Sequence, residues 1–133
     1  MMIEASAIIA ILNGEADAPG LAAAIDAAKA PFTSAIAVYE ATVPLMQENQ
    51  WTAEEAGGVV REFLDAASIK VVLISETIAT GAAKALEKFG KGRHPANLDL
   101  GDCLAYAVAR AYCAPLLFKG DDFSETDVKP VKI

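Results

Sequence analysis

Short apolar runs alternate with longer stretches of helical periodicity along the whole chain. Met1–Ala5 opens as a compact apolar segment ending beside an acid and reads as a strand, and Ala7–Leu12 continues with helical character. Asn13–Gly20 holds Gly14, Pro19 and Gly20 and predicts a turn, after which Leu21, Ile25 and Ala28 recur at helical spacing until Pro31 stops them. Pro31–Ala35 predicts a second short strand. Ile36–Glu48 predicts a helix whose stripe of Ile36, Glu40, Val43 and Pro44 is expected to face inward. Thr52 and Glu55 stand at capping-box spacing and start a helix to about Ala67, weakened by Gly57 and Gly58. Ile69–Ile74, IKVVLI, is short and β-branched and is the clearest strand. Ser75 caps a helix through Phe89, and Gly90–Leu100, broken by Gly90, Gly92 and Pro95, predicts a loop exposing Lys91, Arg93 and His94. Leu100–Cys113 then reads as an apolar helix, Pro115–Phe118 as a strand, Lys119–Thr126 as a polar loop and Val128–Ile133 as an edge strand.

This β-α alternation predicts an α/β fold: a three-layer α/β/α sandwich with a mostly parallel sheet of four or five strands. In such folds crossovers are right-handed and sites form beyond the carboxyl ends of the strands. A chain of 133 residues that is 54% hydrophobic suits a single domain over residues 1–133. The apolar run Met1–Leu12 contains Glu4 and lacks a basic leader, so it does not read as a signal peptide, and no segment is long enough to span a membrane. Cys103 and Cys113 have no metal-ligand spacing and read as buried thiols of a reducing compartment, which makes a cytoplasmic location the expectation.

Charge narrows the chemistry. A formal net charge of −7, from 11 Lys and Arg against 18 Asp and Glu, argues against broad electrostatic binding to nucleic acid, so any such contact has to be local. Glu4, Glu40, Asp102 and the pair Asp121 and Asp122 sit among apolar or small residues, far apart in sequence. On the predicted topology Glu4 and Ser6 leave the first strand, Asp121 and Asp122 leave the fourth, and Glu40 and Asp102 project toward the same rim. Clustered carboxylates disfavour one another's ionisation, and a chain short of cations offers few partners for them. A divalent cation from solution would hold them together. Hard oxygen ligands and a single His point to Mg²⁺ or Mn²⁺ rather than zinc, and to hydrolytic phosphoryl transfer. Each residue also has a plainer role: Glu4 as a solvated strand end, Asp102 or Ser6 as a helix cap, Asp121 and Asp122 as loop residues, His94 as a surface residue. Lys88, Lys91, Arg93, His94 and Lys119 form the one local concentration of positive charge near the rim, suited to RNA phosphates or merely to solvent. Tyr39, Trp51 and Phe123 suit core or dimer packing better than base stacking.

The opening MMIEASAIIAIL resembles the first-strand signature of PIN-domain nucleases, hydrophobics followed by Asp-x-Ser, and VYEA around Glu40 is similar to their second signature. GKGRHPANLDLGDCLAYAVARAYCAPLLFKGDDFSETDV, Gly90 to Val128, resembles the C-terminal third of VapC-type toxins nearly position by position. The resemblance covers the whole chain. It implies a metal-dependent ribonuclease on an α/β/α fold, a homodimer, and inhibition by a VapB-type antitoxin. It places Glu4, Glu40, Asp102 and one of Asp121 or Asp122 at the acidic positions and Ser6 at the hydroxyl position. One departure matters: the family has Asp where this chain has Glu4. One more methylene moves a carboxylate by roughly 1 to 1.5 Å, beyond the ~0.2 Å tolerance of ligand distances, so weaker metal binding than with Asp is expected. Two rival readings remain: a PIN-fold partner-binding protein that has lost competent metal geometry through Glu4, and a phosphoacceptor receiver domain. The second lacks an acid pair at the first strand and an acceptor Asp after IKVVLI.

Overall fold

The computed structural model describes residues 1–133. Its elements are β1 (Met2–Ile3), α1 (Ala5–Leu12), α2 (Ala18–Ala27), β2 (Phe32–Ser34), α3 (Ala35–Asn49), α4 (Ala53–Ala66), β3 (Lys70–Val72), α5 (Glu76–Phe89), α6 (Leu100–Ala111) and β4 (Leu116–Leu117). The strands form one sheet in the order β3-β2-β1-β4, with every pairing parallel. Successive strand residues point to opposite faces, and the core divides accordingly. Met2 and Leu116 face the layer built with α5 and α6, whereas Ile3 and Leu117 face the layer that includes α1, α2, α3 and α4. The expected three-layer sandwich follows from that alternation.

β1 lies between β2, to which the chain moves next, and β4, to which it comes last. The direction of winding therefore reverses between β1 and β4, which opens a crevice at their carboxyl ends. Ladder bonds hold that crevice's floor: Met2 N–H donates to Pro115 C=O at 2.9 Å and Glu4 N–H to Leu117 C=O at 2.9 Å.

The helix starts follow their caps. Thr52 and Glu55 form the reciprocal capping box, and the Ser75 hydroxyl accepts from Ile78 N–H at 3.3 Å. Pro19 lies within the first turn of α2, where a missing N–H does no harm, so this helix begins before the expected Leu21. β3 is shorter than Ile69–Ile74 because its partner runs out: Ser34 pairs with Val72 and is also the N-cap of α3. Leu73, just beyond, is 83% exposed. Val128–Ile133 is not a strand but a single bridge of Leu116 with Pro130, made by Leu116 N–H to Lys129 C=O at 2.8 Å and Val131 N–H to Leu116 C=O at 2.9 Å, because β4 itself ends at Leu117. The inward stripe of α3 is Ala37, Ala41 and Leu45, and the stripe Ile36, Glu40, Val43 and Pro44 is only half-buried. Small residues there allow α3 to pack against both the sheet and α6. Cys103 is buried as expected, but Cys113 is exposed, because α6 ends at Ala111 and Cys113 sits beyond its cap at φ 50°. No helix is long and apolar enough to cross a membrane.

Candidate active site

Glu4 follows β1 directly and is the N-cap of α1. It is 6% exposed, so it is not a solvated strand end. One carboxylate oxygen, Oε2, accepts from the Ser6 backbone N–H at 2.8 Å and also from the Ser6 hydroxyl. Ser6 Oγ in turn accepts from the Lys119 backbone N–H at 2.9 Å, which ties the exit of β1 to that of β4. Ser6 is therefore a bridge between strand ends rather than the helix cap. Burial pushes the Glu4 carboxyl above its ordinary range against the lowering effect of the Ser6 bonds, and the charge of Asp122 pushes it further up.

Asp102 stands at the third position of α6, and the N-cap is Asp99. Asp99 Oδ1 accepts from Asp102 N–H at 2.9 Å, and Asp102 Oδ2 accepts from Asp99 N–H at 3.1 Å. The loop before it is closed at its base by Lys91 N–H to Leu98 C=O and Leu98 N–H to Phe89 C=O, both 3.0 Å, and so delivers Asp99 to the rim. Glu40 reaches the same place from α3: a Cβ added to Gly101 would lie 2.1 Å from Glu40 Oε2. Burial raises Glu40 to about 7, assisted by the charges of Glu4 and Asp99. Burial likewise raises Asp102 to about 7, with the charges of Asp99 and Asp122 adding to it.

Glu4 and Asp102 both feel the charge of Asp122, and Glu40 feels that of Glu4, which sets the four acids around the β1/β4 crevice. Asp122, rather than Asp121, supplies the charge felt at Glu4 and Asp102. Both are exposed, and the Asp121 C=O accepts from Ser124 N–H in the loop turn. None of these acids forms an ion pair, since the chain's salt bridges involve Asp65, Asp127, Glu15 and Asp17 instead. No three His, Cys, Asp or Glu side chains are gathered to hold a metal ion as they stand.

The basic residues divide. Lys91 and Arg93 are exposed and unpaired. His94 is half-buried, not exposed: its Nδ1 accepts from Ala96 N–H at 3.0 Å and its ring packs edge-on against Phe89. Lys119 Nζ is held by Glu15 at 2.6 Å and Asp17 at 3.3 Å, and Lys88 lies 3.8 Å from Asp127. Phe123 is buried in the core, Trp51 packs against the other core layer, and Tyr39 is 66% exposed. Sequence reasoning missed Asp99 and Gly101. The spacing Asp-x-x-Asp ahead of an apolar run carries the first as a reciprocal cap, whereas nothing local marks the second.

A parallel α/β sheet with acids gathered at its winding reversal defines a class, and comparison with known proteins gives the family. The PIN domain profile matches residues 1–129. The VapC ribonuclease Mb0640 of Mycobacterium bovis is 35% identical over 133 residues, covering 100% of this chain and 99% of that protein. A ribonuclease VapC of Mycolicibacterium smegmatis is 39% identical over 132 residues, covering 98% and 99%. Among solved structures, a toxin-antitoxin complex from Klebsiella pneumoniae shares the fold with TM-score 0.68 at 20% identity, over 99% of this chain and 98% of that one. The chain belongs to the PIN-domain family and, within it, to the VapC ribonucleases. The receiver-domain reading falls with that assignment.

Proposed function

We propose that this chain is a Mg²⁺- or Mn²⁺-dependent endoribonuclease toxin that hydrolyses RNA phosphodiester bonds and is inhibited by a VapB-type antitoxin. The observation that carries the reading is the convergence of Glu4, Glu40, Asp102 and Asp122 with no cation paired to any of them. The hard carboxylate oxygens of Glu4, Glu40 and Asp102, whose ionisation is opposed by burial and by neighbouring charge, fit a divalent ion. Mg²⁺ keeps several waters when bound, so acids that are neighbours without forming a closed ligand set suit it. When bound, such an ion lowers the pKa of water and neutralises charge developing on a phosphodiester oxygen.

The chain's own residues do the rest. Ser6 orients the Glu4 carboxylate through two hydrogen bonds, and its own oxygen is fixed by the Lys119 amide. The Asp99 backbone N–H fixes one oxygen of Asp102, and the other accepts no hydrogen bond from the protein. Lys91 and Arg93 are available to RNA phosphates, His94 and Lys119 serve chiefly to hold the loops, and Asp121 stays outside the group of acids. A homodimer is supported by an all-apolar groove of about 340 Å³ lined by Ala79, Ala82, Ala83, Leu86, Leu100, Cys103 and Leu104, beside the acids, with Leu100 76% exposed. Light scattering at the mass of one chain would contradict the dimer.

The direct test is cleavage of single-stranded RNA with Mn²⁺ present and with the metal chelated. Cleavage restricted to the first condition is expected; equal cleavage, or none in either, contradicts the reading. Glu4 gives a second check. Glu4→Asp removes the extra methylene and is expected to bind Mn²⁺ more tightly and to cut faster. Equal affinity and rate in the two proteins would sink that idea. A Glu4 protein that binds no metal at all would favour the partner-binding alternative.

A further inference from the structure

Gly101 occupies the second position of α6, is buried, and has no left-handed backbone that would require glycine. In such a place glycine weakens a helix relative to alanine. What alanine would meet is the Glu40 side chain: a Cβ at Gly101 would sit 2.1 Å from Oε2, 2.7 Å from Cδ and 2.9 Å from Oε1. The three nearest atoms all belong to the far end of one flexible side chain on a different helix. Glu40 crosses from α3 to the first turn of α6, and only a residue without a side chain leaves the place of its carboxylate open. Its reach is unassisted there, because no hydrogen bond or ion pair from another side chain holds the carboxylate in place.

We propose that Gly101 is a positioning residue for Glu40: the absent side chain at the start of α6 is the seat in which the Glu40 carboxylate is held at the first turn of that helix. The proposal rests on the reading of Glu40 as one of the metal-binding acids. Any side chain at 101 would displace the carboxylate rather than break the fold, because the displaced group can swing toward solvent. Gly101→Ala is then a change that helix propensity favours and the site does not tolerate.

The experiment measures Mn²⁺ affinity by calorimetry, and melting temperature in metal-free buffer, for the full chain and for Gly101→Ala, Glu40→Gln and the double variant. Gly101→Ala is expected to melt at or above the parent temperature and to lose at least about tenfold in Mn²⁺ affinity, the scale seen when groups that orient a ligand are changed. In the Glu40→Gln background the same change is expected to cost nothing further, since residues acting through one contact are not additive. Three results overturn the proposal: parental affinity in Gly101→Ala, an undiminished loss in the Glu40→Gln background, or a Gly101→Ala protein that fails to fold. A parent chain that binds no Mn²⁺, or a Glu40→Gln variant that binds it as the parent does, overturns the metal reading of Glu40 and this proposal with it. If Glu40→Gln weakens binding and Gly101→Ala does not, only the positioning role is lost.

Discussion

Asp102→Asn is expected to lower Mn²⁺-dependent RNA cleavage by at least about a hundredfold, since losing several kcal/mol of charge stabilisation costs a factor of ten per 1.36 kcal/mol. The substitution is nearly isosteric, and the amide oxygen can still accept from Asp99 N–H, so the reciprocal cap of α6 is retained. What disappears is one negative charge from a group that also contains Glu4, Glu40 and Asp122. Removing it relieves repulsion, so the metal-free variant is expected to be as stable as the parent or more so. Loss of activity with gain of stability separates a chemical role from a folding defect. An Asp102→Asn protein that cuts RNA at the parental rate would remove Asp102 from the site; one that melts far below the parent would make its role structural.

Metal-free protein is expected to lose stability as pH rises from about 4 to 7, the reverse of ordinary acid denaturation. Glu40 and Asp102 both titrate near 7 when folded, against 4.5 and 3.8 as model values. A carboxyl raised on folding contributes stability that is complete below the unfolded value and is lost as pH climbs through the folded one. Both side chains are partly solvated, so the full 1.36 kcal/mol per unit is discounted for screening, leaving about 2 kcal/mol for the pair together. For a chain of this size that is roughly 5 to 10 °C in melting temperature. Asp127 works in the opposite direction, its carboxyl held low chiefly by the Tyr106 hydroxyl, but it is largely exposed and its effect falls at more acid pH. Mn²⁺ competes with the same protons, so its stabilisation should be small at pH 5 and should approach about 2.7 kcal/mol at pH 7.5 when the ion is at a hundred times its dissociation constant. Calorimetric melting of the parent and of a Glu40→Gln, Asp102→Asn double variant across this range checks it. A parent profile that matches the variant's, or a metal effect independent of pH, would contradict the coupling.

Much of the architecture was legible because local chemistry specified it. Thr52 and Ser75 cap the helices they were expected to cap, and the alternation of short apolar runs with helical segments gave the parallel sheet. The exits of β1 and β4 proved adjacent, since the two strands pair in parallel from Met2 and Leu116 to Ile3 and Leu117. What was misjudged depended on tertiary partners. IKVVLI has the composition of a six-residue strand, yet only Lys70–Val72 pairs, because β2 turns into α3 at Ser34. The C-terminal segment pairs only once because β4 is two residues long. On α3 the larger apolar residues suggested the buried face, whereas close packing selected Ala37 and Ala41. The supports of the proposed site were not legible: Asp99 looked like loop, nothing local marked Gly101, and Lys119 looked like a free cation.

Anomalous diffraction from crystals soaked in MnCl₂ tests the central claim most directly. The account places a manganese peak in the β1/β4 crevice among Glu4, Glu40, Asp102 and Asp122, with waters completing its coordination. A fully soaked crystal with no peak there, or with its strongest peak away from these four carboxylates, would contradict it.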